Sequence, residues 1–161
     1  MANDGLPVVT FNEEIALHLN NDIIRAVHAP HAHTDGDVMV FFETANVVHA
    51  GDVFFNGIYP LIDTNNTGSL SGTIRAVEGL LDQTDENTKI IPGHGELGSR
   101  DKLLNYLAML MHTRDALGQL KSDGKTRQHV IHLRPLEQFD AKWGKGFFSK
   151  DVWTGMIFDA L

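Results

Sequence analysis

Three apolar strands, each running into a glycine-punctuated turn that carries a metal-ligand residue type, constrain this chain more than any other feature. The runs are HAHTDGDVMVFF (31–42), NVVHAGDVFF (46–55) and KIIPGHGELGSR (89–100). They put His33, Asp52 and His94 at strand ends, where an α/β scaffold holds side chains rigidly and leaves room for a ligand. Imidazole is the commonest zinc ligand, and Gly36 lets the backbone turn sharply beside His33. Asp52 follows Gly51 directly. A carboxylate has two oxygens and can bridge two cations, which an imidazole cannot. Pro92 ends a strand and glycines flank His94, so its ring is presented without neighbouring bulk. The chain has no cysteine, so any metal must be held by its nine histidines and its carboxylates.

The elements read as strands first and helices later. Val8–Phe11, Ile15–Leu19 and Ile23–His28 are short runs broken by polar residues, Asn20-Asn21 among them, and suit an antiparallel meander. Val38–Phe42 and Val47–Ala50 are denser and pair as a hairpin across Glu43–Asn46. From Ser69 the period becomes helical through Leu70, Ile74, Val77, Leu80 and Leu81. Lys89–Ile91 reads as a brief strand. A long helix spans about Ser99–Ser122, a shorter one Thr126–Leu133, and Ser149 caps a last one. The spacing predicts a mixed sheet covered on one face by helices 69–84, 99–122 and 149–160, with 53–68 a long irregular loop.

At 161 residues the chain makes one domain over 1–161. A net charge of −8 argues against nucleic acid or an anionic membrane as its main partner. No apolar run approaches a membrane span and no signal peptide is visible, which points to the cytoplasm.

The ordered set His33, Asp52, His94 resembles the second half of the metallo-β-lactamase superfamily. The extended pattern HTDGD…GD.FFNG.YP.ID…PGHG is similar to its glyoxalase II-like and cyclase-like branches. The resemblance implies an α+β chain forming half of an αββα sandwich. It also implies that His33 completes a first metal site, Asp52 bridges two metals and His94 completes a second. The family's first motif, HxHxDH, has no counterpart here. His31-Ala32-His33-Thr34-Asp35-Gly36 is superficially similar, but Gly36 stands where the last histidine belongs. The nineteen residues from His33 to Asp52 also fit the later motif better.

Two function classes follow. The first is a zinc or other divalent-metal hydrolase, in which metal-bound hydroxide attacks an ester, thioester or amide carbonyl of a small molecule and Asp52 orients the nucleophile. Because ligands are missing, at most one metal per chain is expected, weakly held or absent, and activity alone should be weak or nil. His31, at i, i+2 from His33, is a substitute ligand, and Asp35 or Asp37 takes the second ring N–H of His33. Phe54, Asn56, Tyr59 and Asp63 line the substrate side. The second class is a non-catalytic half-domain serving as an assembly or vestigial module. In either case one apolar sheet face is left uncovered, which predicts a two-fold homodimer.

Overall fold

The computed structural model describes residues 6–161. Its sheet has five strands in sequence order: β1 (Glu14–Leu19), β2 (Asp22–Ala29), β3 (Asp37–Phe42), β4 (Val47–Asn56) and β5 (Lys89–Gly95). The first four run antiparallel, and β5 lies parallel to β4. The β1–β2 hairpin closes on Asn20 and Asn21, with φ of 52° and 62°. Two successive left-handed residues match the strand twist, and asparagine tolerates that conformation. Among the described residues no helix is long and apolar enough to cross a membrane.

The helices are α1 (Leu70–Asp82), α2 (Arg100–Ser122), α3 (Arg127–Leu133), α4 (Glu137–Trp143) and α5 (Lys150–Ala160). Ser69, Ser99, Thr126 and Ser149 each accept a first-turn backbone N–H, as N-caps do. α1 supplies the crossover between the parallel strands β4 and β5. Its buried Ile74, Val77, Leu80 and Leu81 join Leu103, Tyr106, Met109, Leu110 and Leu117 of α2 over the buried Met39, Phe41, Val48 and Ile90 of the sheet.

Several expectations need correction. Val8–Phe11 forms no strand. β4 runs on to Asn56 and β5 to Gly95, so the 53–68 loop shrinks and His94 lies inside a strand rather than beyond it. Both extensions arise because β4 and β5 resume pairing (Phe55 with His94) after register shifts around Gly51. α5 does not lie on the sheet. It packs on α3 and α2 as an outer layer, with Trp153 stacked on Tyr59 at 4.0 Å and its indole N–H donating to the Pro60 carbonyl at 2.7 Å. α4 was not expected at all.

Strand alternation divides the sheet cleanly. Arg25, Val27, Met39, Phe41, Val48 and Ile90 face the helices, and the paired registers put Ile15, Leu17, Leu19, Ile24, Ala26, Val38, Val40, Phe42, Val47 and Ile91 on the other side. Not one of those ten residues is buried. The same registers also put Asp22, His28, His49 and Lys89 on that face, and eight of the ten apolar residues are half-buried.

Candidate metal centre

His33 precedes β3, Asp52 lies on β4 and His94 on β5, all at one end of the sheet. Asp52 follows the bulge at Gly51, where φ of +54° suits glycine. The bulge turns its carboxylate toward both imidazoles. His33 Nε2 lies 3.5 Å from Asp52 Oδ2, and His94 Nε2 lies 3.4 Å from Oδ1. Gly93 makes room: a Cβ there would strike Asp52 Oδ1 and the Gly51 carbonyl.

The hydrogen bonds fix what these atoms can do. His33 Nδ1 lies 2.8 Å from the Leu61 carbonyl. A carbonyl only accepts, so Nδ1 carries the proton and Nε2 of the neutral ring presents a lone pair. That lone pair faces a carboxylate oxygen. Two acceptors at such a distance call for something positive between or beside them, a proton or a cation. Ligands 2.0–2.2 Å from a tetrahedral ion stand about 3.4 Å apart, which is the separation of both pairs. The Leu61 carbonyl also orients the ring from behind, as partners of metal-bound histidines do. The expectation that Asp35 or Asp37 fills this role is not met. Asp37 accepts from the Thr34 N–H and hydroxyl instead, and Asp35 pairs with His31 at 3.2 Å.

The three side chains meet at the Asp52 carboxylate. They form two pairs, each made of one imidazole and one carboxylate oxygen. Among the described residues no group of three or more His, Cys, Asp or Glu side chains could by itself hold a metal ion. The donors fit a metal in type and spacing and fall short in number.

The remaining expected residues sit elsewhere. His31 adopts a left-handed conformation (φ 55°), which breaks the extended geometry the i, i+2 argument needed, and its ring turns to Asp35 and the Thr67 carbonyl. Phe54 is fully buried against Tyr106, 5.2 Å between centroids. Tyr59 is buried and donates to Asp140 at 3.0 Å. Asp63 caps the short 3-10 turn Thr64–Asn66, and Asn56 ties β4 to the Glu96 carbonyl. Asp63 also touches the segment of a proposed ligand, its N–H donating to the His33 carbonyl at 2.8 Å. His49 is exposed on the uncovered sheet face, its Nδ1 accepting from the Gly51 N–H.

Two aromatic residues went unnoticed in the sequence. Phe55 stacks on His94 at 4.8 Å and lies 6.1 Å from His33, so it floors both rings. Its position directly after Phe54, on a strand that alternates, was the available signal. Phe147 meets the edge of His94 at 5.1 Å from the far end of the chain, and no local pattern marks it. Beneath the site Tyr106 is fully buried, and its hydroxyl has no hydrogen-bond partner among the described residues. Burial, with the charge of Asp52 adding to it, pushes that phenol above its ordinary range.

The family model of the metallo-β-lactamase superfamily matches residues 2–107, and the chain belongs to that superfamily. No curated protein matches the chain. Among solved structures it is similar to a metallo-β-lactamase from Pontibacter korlensis at 21% identity and a TM-score of 0.58, covering 68% of this chain and 51% of that one. It is also similar to the stereoselective inverting sec-alkylsulfatase Pisa1 from Pseudomonas sp., at 15% identity and a TM-score of 0.65, covering 92% of this chain and 26% of the other. A third, solved in a di-iron-bound form, is 24% identical with a TM-score of 0.50, covering 60% of this chain and 46% of its own. At these identities the likeness shows the fold alone. The chain spans about half the length of the first of these structures, which by their names are hydrolases or metal-bound proteins.

Proposed function

We propose that this chain provides one side of a two-metal hydrolase centre acting on an ester, thioester or amide carbonyl of a small molecule. One observation carries the reading: two imidazoles address opposite oxygens of a single carboxylate, and one of them has its outer nitrogen held by a backbone carbonyl. That supports Asp52 as a bridge, His33 as ligand to one ion and His94 as ligand to the other. Bound zinc, or a similar divalent ion, supplies Lewis acidity and makes water acidic enough to ionise near neutral pH. Asp52 would hold such ions through its two carboxylate oxygens, which face His33 and His94. The Leu61 carbonyl holds the His33 tautomer. Phe55 beneath both rings keeps bulk water from the back of the site. Each pair would offer an ion two donors where catalytic zinc uses three protein ligands, so a working centre would need further ligands, with a homodimer as the assembly this reading favours.

The test is metal content after purification without chelator, followed by zinc titration and hydrolysis of a chromogenic thioester with and without chelator. Zinc uptake that is lost in His33→Ala and His94→Ala, with slow chelator-sensitive turnover, supports the reading. Turnover by metal-free protein refutes it. A second reading, a non-catalytic assembly module, is favoured by the shortfall of donors. Absence of zinc uptake in every assembly state would select it.

A further inference from the structure

The residues around Asp52 open to solvent on one side. Side-chain exposure rises from 14% at His33 to 34% at Asp52 and 41% at His94. Phe55, itself buried, closes the back of both rings. A small molecule therefore reaches the Asp52 carboxylate past His94. Phe147 stands there, its ring centroid 5.1 Å from that of His94 and its plane at 81° to it. We infer that Phe147 selects the substrate of this site by contact with a bulky apolar group on the acyl side of the carbonyl. This rests on the hydrolase reading above and adds to it the chemical class of what is hydrolysed.

Phe147 is held in place from both sides. Before it, Gly146 lies so close to Ile58, just beyond the end of β4, that a Cβ would come within 2.7 Å of the Ile58 Cβ. After it, Phe148 packs against the core, and Ser149 then caps α5. The backbone is pinned on either side of Phe147 while the residue itself stays 63% exposed. Phenylalanines scattered over a surface need no explanation. This one is fixed beside a proposed ligand, on the side from which the site is entered.

Its open surface is apolar area that an incoming group can cover. Covering it gains about 25 cal/mol for each Å² removed from water, and a second ring adds an edge or offset-stacking contact. An acetyl group has one methyl with which to do so, whereas a phenylacetyl or hexanoyl group has a whole ring or chain. The contact discriminates between acyl groups and leaves the carbonyl to the side chains around Asp52.

Nuclear magnetic resonance titration in chelator, with phenylacetamide, hexanamide and acetamide as neutral probes, tests the contact without metal or turnover. Phenylacetamide should shift the ring signals of Phe147 and His94. It should bind about tenfold more tightly than acetamide, the factor that about 1.4 kcal/mol supplies. Hexanamide binding as tightly as phenylacetamide assigns an alkyl acyl group, and weaker binding assigns an aryl one. Phe147→Ala, at an exposed position, should keep native circular dichroism and lose the preference over acetamide. Gly146→Ala keeps the ring but forces the backbone off Ile58, and should lower the preference too. In zinc-loaded protein, Phe147→Ala should raise KM for a phenylacetyl thioester about tenfold relative to an acetyl one. Equal affinity for phenylacetamide and acetamide overturns the inference. So does an undiminished preference in Phe147→Ala, or signals that shift only at Val40 and Phe42 on the uncovered sheet face. A Phe147-dependent preference in protein that takes up no zinc and hydrolyses neither thioester leaves the apolar contact standing and refutes the hydrolase reading alone.

Discussion

A carboxylate held between two imidazoles answers substitution differently from either contact alone, and the glycines around it show why. Gly36 and Gly93 look alike in sequence, each flanking a ligand-type residue. In the structure a Cβ at Gly36 would find only Thr34 Oγ1, at 3.9 Å, whereas at Gly93 it would run into Asp52 and the backbone of Gly51. Backbone cannot give way as a flexible side chain can. Gly93→Ala should therefore cost about 1–3 kcal/mol, as overpacking does, and also lose zinc affinity. Gly36→Ala should stay within about 0.5 kcal/mol of wild type. Urea melts of the two variants check this, and equal losses would refute the assignment of the crowding to Asp52. His33, Asp52 and His94 could be singled out in the sequence because glycine beside a ligand-type residue at a strand end is a local pattern. Their division into two pairs could not, because it follows from the register shift at Gly51 and from the distant Leu61 carbonyl.

At the scale of elements, the helix starts were the most readable part of the chain, since a serine or threonine before an apolar period acts through its own first turn. Strand ends were not. β4 and β5 outlast their glycines because each is held by the other, and α4 is too short to show a period. The caps also differ in what else they touch. Ser69 Oγ accepts from the Gly72 N–H and donates to the His31 carbonyl, both at 3.0 Å, so it fastens α1 to the segment that leads into His33. Ser149 accepts from Val152 at 3.3 Å. Ser149→Ala should cost about 1 kcal/mol and Ser69→Ala about 2, at the upper end of the range for caps. The Ser69 variant alone should weaken zinc binding, because the His31 carbonyl, two residues before a proposed ligand, loses the hydroxyl and keeps only the Ser69 N–H at 3.1 Å. Equal effects on stability and on metal would show that the His31 bond carries nothing.

For the whole molecule, alternation along β1–β5 already implied a sheet with one covered and one bare face, and helical stripes implied what covers it. The outer layer was beyond that reasoning, because α4 and α5 rest on contacts between residues far apart in sequence. Tyr59 shows the case: it stacks on Trp153 and donates to Asp140, joining the segment after β4 to the last two helices. Tyr106 lies instead between the sheet and the outer helices, its ring 5.6 Å from Trp143. These are the only two tyrosines of the chain, and both are buried. Burial raises both phenols, with the charge of Asp140 adding at Tyr59 and that of Asp52 at Tyr106. An unfolded tyrosine ionises near pH 10. Below that pH both states hold the proton and stability is unaffected. Above it the unfolded chain releases two protons that the folded chain keeps, so stability falls by about 1.4 kcal/mol per pH unit for each tyrosine. The ultraviolet absorbance of tyrosinate should therefore stay flat past pH 10 while helical circular dichroism persists, and then rise in one step as the helices melt. A rise amounting to one tyrosine before the melt would mean that the outer layer opens alone and exposes Tyr59. Tyr59→Phe would settle it by removing that early step.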